Sequence, residues 1–225
     1  MVPGSAGEGS VANDPPVSRA ETRTVTWAEA PEAIGRLASL RPRGTVLVVG
    51  ITGPVGAGKS KLARRLGGLV LSTDRYLPDY DRVPEEERDR PEHADIPLLK
   101  SHLESLRRGE RVEAPVWCFH AHRRIGRERV GPAALVVCEG IFALHETLRA
   151  GMDVRVYVEA PGEVRWARWE RLERSGARGM GVEGARAFFE GVAEPTFGAL
   201  AESYRAASDI VVLNPVDGPE GGVGA

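Results

Sequence analysis

The stretch that most constrains this chain is Gly53-Pro54-Val55-Gly56-Ala57-Gly58-Lys59-Ser60, which directly follows the apolar run Thr45-Val46-Leu47-Val48-Val49-Gly50-Ile51-Thr52. A buried strand that runs into G-x-x-x-x-G-K-[ST] and then into a helix is the phosphate-binding loop. The physical basis is local. Gly53, Gly56 and Gly58 let the backbone turn where a side chain would clash, so successive N–H groups, those of Val55 and Ala57 included, converge on phosphate oxygens. Pro54 has no N–H and removes one donor. The helix opening near Lys59 adds free N–H groups and a dipole that favours negative charge. In this pattern Lys59 reaches the β- and γ-phosphates, Ser60 places its hydroxyl on Mg²⁺, and Lys61 continues the anion site. A Gly-rich turn that merely joins strand to helix is the competing account, and the Lys-Ser pair disfavours it.

The rest of the composition narrows the class. A chain of 225 residues, 42% hydrophobic and 28% charged, can build one α/β domain with a full core. A formal net charge of −2 provides no global basic field, so nucleic acid is not an expected partner and any anion site is local. Two cysteines, Cys118 and Cys138, suggest neither a disulfide framework nor a zinc site, which fits a reducing cytoplasm. The absence of a long apolar run or a signal-like N-terminus argues against membrane association and export.

Along the chain, residues 1–23 read as a disordered leader rich in small residues and proline, 24–214 as a single kinase-sized P-loop domain, and 215–225 as a flexible tail. Five strands are predicted: the run that feeds the loop, Leu69–Thr73, Ala134–Cys138, Val154–Val158 and Ile210–Leu213. Helices are predicted from Pro31 to Leu40, Lys59 to Leu66, Ile96 to Leu106, Glu163 to Arg174, Ala185 to Val192 and Pro195 to Ala207. Strands alternating with helices imply a five-stranded parallel sheet of the P-loop NTPase fold. Arg111–Trp117 contains a proline and reads as an edge or hairpin arm outside that sheet. The charge-dense Pro78–Pro91 reads as an exposed loop or lid rather than core, and the Gly-rich Ser175–Gly184 as part of a helical lid.

Four further strings carry a family resemblance: Ser72-Thr73-Asp74-Arg75-Tyr76, Asp89-Arg90-Pro91-Glu92-His93-Ala94-Asp95, Pro115 to Arg124 (P-V-W-C-F-H-A-H-R-R), and Cys138-Glu139-Gly140-Ile141. Together with Pro195-Thr196-Phe197 and Ser208-Asp209-Ile210-Val211-Val212, they resemble the uridine kinase and phosphoribulokinase family over roughly Thr45 to Leu213. The resemblance implies an ATP- and Mg²⁺-dependent kinase that phosphorylates the 5′-hydroxyl of a nucleoside such as uridine or cytidine. It implies Asp74 as the carboxylate that receives the hydroxyl proton, and Glu139 as an acid near Mg²⁺. It further implies that Asp89 holds ribose hydroxyls, that Tyr76 joins the substrate site, and that Trp117, Phe119 and His122 form the base pocket. Arg168, Arg171, Arg174 and Arg178 read as a cationic stripe at roughly helical spacing, expected to clamp the transferred phosphate, with a solvated charged face as the competing account. A carboxylate at a strand end facing a phosphate loop is an apt acceptor of an alcohol proton in its own right.

Two departures stand out. Trp117-Cys118 occupies a place where uridine-cytidine kinases carry Tyr-Asp, and the family's paired lid arginines are broken here by Trp169, Leu172 and Met180. Trp117-Cys118 keeps open a kinase of the same fold acting on another small alcohol, such as pantothenate or a sugar phosphate. A regulatory NTPase is the reading from another class. Its expected Asn-Lys-x-Asp string has as nearest match Asn214-Pro215-Val216-Asp217, which lacks the lysine. Self-association is left open by these features.

Overall fold

The computed structural model describes residues 22–216. Its elements run β1 (Arg23–Thr26), α1 (Ala30–Ala38), β2 (Leu47–Thr52), α2 (Lys59–Leu66), β3 (Leu69–Ser72), α3 (Ile96–Arg107), β4 (Val112–Cys118), β5 (Arg123–Val130), β6 (Leu135–Glu139) and α4 (Glu146–Arg149). They continue with β7 (Val154–Glu159), α5 (Gly162–Arg174), α6 (Gly181–Phe188), a π-helical turn at Phe189–Ala193, α7 (Glu194–Ala207) and β8 (Ile210–Leu213). The main sheet has six strands in the order β1-β8-β7-β2-β6-β3, all parallel.

The sixth strand corrects the five-strand expectation. Arg23 to Thr26 pair in register with Ile210 to Leu213. Only Val25 of the four is buried, because an edge strand this short turns a single side chain inward. Arg23, expected in the leader, therefore opens the sheet. The remainder of that leader before Thr22, and the tail beyond Val216, lie outside the described residues.

Strand alternation divides the core between two faces. Val49, Ile51, Val137, Val154, Val156 and Val212 pack with Ala33 and Ile34 of α1 and Leu62 and Ala63 of α2. Val48, Leu71, Val136, Cys138 and Tyr157 pack on the other face with Leu99 and Leu103 of α3, Leu148 of α4, and Phe197 and Tyr204 of α7. The antiparallel pair β4-β5 stands outside the sheet, as the proline at Pro115 requires of a non-central strand. Among the described residues, no helix is long and apolar enough to cross a membrane.

The strand order also gathers three chemically distinct strand ends. β2, β6 and β3 are neighbours, and their register sets Ile51 and Ser72 on either side of Glu139. The loop after β2, the acid ending β6 and the turn after β3 thus emerge side by side at the carboxyl edge, where open parallel sheets hold ligands.

Candidate active site

The loop is shaped by what it excludes. Gly53, Gly56 and Gly58 have φ of 149°, 75° and 105°, in the left-handed region. A Cβ at Gly56 would collide with the carbonyl oxygen of Arg165, so α5 lies directly on the loop backbone. The outward carbonyls are then taken up one after another. Lys59 Nζ donates to Pro54 O at 2.9 Å, and Arg165 Nη1 to Val55 O at 3.3 Å. Arg168 Nη1 donates to Gly56 O at 3.0 Å and Ala57 O at 3.2 Å, and Asn214 Nδ2 also reaches Ala57 O, at 2.8 Å. Three consecutive carbonyls are held by α5 and Asn214, and that of Pro54 by the loop's own lysine and by Ala57 N at 3.1 Å, so the remaining loop N–H groups, without that of Ala57, are the donors available to an anion.

Arg165 is the strut beneath this arrangement. It is buried, donates to Ala160 O at 3.0 Å, and forms a two-pronged ion pair with Glu194. Arg168 also donates to Asn214 O and Val216 O, so the segment after β8 is tied to the same loop.

Lys59 stands among three carboxylates. Burial pulls its proton affinity down, and Glu139, Asp74 and Asp89 each push it back up. Glu139 ends β6 and accepts from Ser60 Oγ at 3.2 Å, with Ser72 as a second hydroxyl partner. Burial, then the charge of Asp74, raises the Glu139 pKa. Asp74 sits in the turn Thr73–Tyr76, capped by Ser72 Oγ on its backbone N–H at 3.3 Å. Its pKa is raised by burial and opposed by Arg178 and Lys59. Asp89 is pushed up to about 7, first by burial and then by Asp74. Asp74 and Asp89 are recessed yet keep partial access to solvent through the cleft, so water moderates both shifts.

These groups line one cavity of about 1120 Å³. That exceeds the roughly 300–1,000 Å³ of an ordinary single-ligand pocket, so a donor and an acceptor fit together. Beyond Asp74 the wall becomes aromatic. The Tyr80 ring lies parallel to His122, with centroids 5.1 Å apart and planes 8° apart, stacks on Phe188 at 6.1 Å, and tilts against Trp117 at 5.5 Å. Tyr80 N donates to His122 O at 3.0 Å, which fastens the segment after β3 to the hairpin turn. The Arg178 guanidinium lies 3.6 Å over the Phe119 ring. Glu173 accepts from Trp169 Nε1 and Gly181 N, both at 3.0 Å, and so pins the start of α6.

Of the residues singled out from sequence, Val55, Gly56, Gly58, Lys59, Ser60, Lys61, Asp74, Asp89, Trp117, Phe119, His122, Glu139, Arg168, Arg171 and Arg178 all border this cavity. Tyr76 does not. It is buried in the core with its hydroxyl 2.7 Å from His102 Nδ1, because the turn that presents Asp74 rotates the residue two places on toward α3. The arginines of α5 are also not one clamp: Arg168 holds backbone carbonyls, and Arg174 pairs with Glu170 at the surface. Sequence reasoning missed Tyr80, Arg165, Trp169, Glu173, Asn214 and Trp27. Tyr80 lay in a stretch read as an exposed loop, and its aromatic partners come from distant elements.

A family model described as the phosphoribulokinase / uridine kinase family matches residues 80–214. A uridine kinase of Lactobacillus helveticus is 31% identical, over 78% of this chain and 87% of its own length. One of Deinococcus deserti is 32% identical, over 78% and 88%. Among solved structures, a protein of Silicibacter sp. described as a fructose transport system kinase superposes with a TM-score of 0.65 at 22% identity, covering 83% of this chain and 98% of that one. A Bacillus stearothermophilus structure described as a possible uridine kinase gives 0.55 at 17% identity, covering 82% and 99%. These two establish the fold.

Proposed function

Because the chain belongs to the phosphoribulokinase / uridine kinase family, and is thereby an ATP-dependent phosphotransferase, we propose that it transfers the γ-phosphoryl group of ATP to the 5′-hydroxyl of a nucleoside, uridine or cytidine or a close relative. The observation that carries this reading is the position of Asp74, in one cavity with the phosphate loop and with the aromatic wall of Tyr80, Trp117, Phe119 and His122.

Asp74 orients the acceptor hydroxyl and receives its proton, and a carboxyl with raised proton affinity is the better base for an alcohol. Lys59 and the loop N–H groups hold the β- and γ-phosphates, and Arg178 and Arg171 face the charge that spreads onto the transferring oxygens. Asp89 accepts hydrogen bonds from vicinal ribose hydroxyls. The oxygen donors Ser60 and Glu139 suit Mg²⁺. Among the described residues no group of three or more His, Cys, Asp or Glu forms a metal cage, which fits an ion that takes most of its ligands from phosphates and water. Mg²⁺ held by Ser60 and Glu139 would supply charge neutralisation to the phosphates. The setting is cytoplasmic, with a small-molecule substrate and neither nucleic acid nor membrane as partner.

Tyr80 favours a second reading. Its ring already covers one face of His122, which suits an acceptor smaller than a stacked base, such as pantothenate or a sugar phosphate. Release of ADP across a panel of nucleosides, pantothenate and sugar phosphates separates the two. Saturable turnover with pyrimidine nucleosides is expected, with kcat falling roughly 10²–10⁴-fold in Asp74→Asn and acceptor KM changing far less. ATP hydrolysis indifferent to every acceptor, or full transfer by a folded Asp74→Asn enzyme, would overturn the proposal.

A further inference from the structure

The cavity continues past the phosphate loop to an end that phosphoryl transfer itself does not use. There it is walled by Trp27, Arg64, Arg65, Asn214 and Val216. Trp27 follows β1, and it lies outside the residues that the family model matches.

The strand order fixes the direction of this end. The loop leaves β2, and Asp74 follows β3, two places away on one side. Trp27 follows β1, three places away on the other. All these strands are parallel, so the three features emerge from the same edge in the order Trp27, loop, Asp74. A nucleotide whose terminal phosphate faces Asp74 across the loop therefore runs its base back toward Trp27.

The indole is held where such a base would arrive. A Cβ at Gly58 would come 3.4 Å from the Trp27 ring, so the ring packs against the residue that opens α2. Arg65 lies over the indole at 5.4 Å and donates through Nη1 to Trp27 O at 2.9 Å. Trp27 is only partly buried, and the Val216 side chain on the same wall is 67% exposed. A planar aromatic and an aliphatic side chain, both left open at the end of a phosphate site, form a slot for a flat apolar ring.

We infer that Trp27 is the platform for the base of the donor nucleotide, with Val216 and Arg65 completing the slot. This rests on the reading of the loop as a nucleoside triphosphate site. The contribution of the indole is specific to the base, so it separates from phosphate binding.

The test compares Mg·ADP with inorganic tripolyphosphate by calorimetry on the full chain. Stacking of a base on an aromatic ring predicts that Trp27→Leu weakens ADP roughly ten- to a hundredfold. Tripolyphosphate should stay within about twofold, and Trp27→Phe should keep most of the ADP affinity. Nuclear Overhauser contacts between adenine protons and an indole, present in the wild-type complex and lost in Trp27→Phe, give a readout independent of how well the leucine variant folds. Unchanged ADP affinity in Trp27→Leu, an equal loss for ADP and tripolyphosphate, or no adenine–indole contact would overturn the assignment. Wild-type protein that binds neither compound would instead sink the nucleotide reading itself.

Discussion

Asp89 offers a test in which stability and activity move in opposite directions. Its carboxyl is raised from an ordinary 3.8 to about 7, chiefly by burial and secondly by Asp74. Below about pH 4 the group is protonated in folded and unfolded chains alike and costs nothing. As pH rises the unfolded chain ionises freely while the folded one resists, so stability is lost between about pH 4 and pH 7 and then levels off. At 1.36 kcal/mol per pH unit the ceiling on that loss is about 4 kcal/mol. Water in the cleft screens the carboxylate and brings the expected value to about 1–2 kcal/mol. Asp89→Asn carries no such penalty, so it should melt roughly 2–8 °C above wild type at pH 8, with the gap narrowing toward pH 4.5. The same ionised carboxylate is the one proposed to accept the ribose hydroxyls. Acceptor kcat/KM of the wild type should therefore climb through about pH 7, while that of Asp89→Asn stays low and flat. Paired thermal melts and pH–rate profiles decide the matter. A variant less stable than wild type at pH 8, or a wild-type profile with no inflection near neutrality, would rule out a buried, ribose-binding carboxylate at this position.

Arg168→Met should lower Mg·ADP affinity roughly tenfold along with kcat, because the Gly56, Ala57 and Val216 carbonyls lose a charged donor. Calorimetry beside steady-state kinetics is the check, since a role confined to the transition state would reduce kcat alone. Gly56→Ala places a Cβ against the Arg165 carbonyl at a φ of 75°, and should cost about 1–3 kcal/mol of stability as well as nucleotide binding. An unchanged melting temperature would show that α5 does not bear on the loop.

The parts of this fold legible in the sequence are those whose signal is local. The loop motif specified β2, the turn and α2, whose limits at Lys59 and Leu66 match the expectation, and the strand Ile210–Leu213 was evident from its apolar run alone. β1 was hidden because four residues with one inward valine do not rise above background. Tyr76 and Tyr80 were exchanged for a related reason: adjacency to Asp74 favoured the first, whereas the second is placed by Trp117, His122 and Phe188, none of which is near it in sequence. The arginines of α5 were misjudged by geometry. Residues three apart on a helix turn by about −60° at each step, so Arg168 and Arg174, two such steps apart, point about 120° away from each other. Arg168 reaches the loop carbonyls, and Arg174 pairs with Glu170 at the surface.

The buried stripe Arg165, Trp169 and Glu173, spaced four apart, lets a single helix serve both ends of the site along one face. Arg165 and Arg168 hold the Val55, Gly56 and Ala57 carbonyls, and Glu194 fixes Arg165 from α7. One turn further on, Trp169 and Glu173 join α5 to the opening of α6, and Trp169 packs edge-on against Phe188, the ring on which Tyr80 stacks. The hairpin meets this group as well, since a Cβ at Gly179 would strike the backbone of His120. α5 therefore touches both the aromatic wall and the glycine-rich loop, through side chains that lie along one face of the helix and its neighbouring edge. Three loop carbonyls in a row, those of Val55, Gly56 and Ala57, are bonded from outside the loop. The aromatic end of the cavity and the glycine-rich loop are thus joined through the thirteen residues of α5.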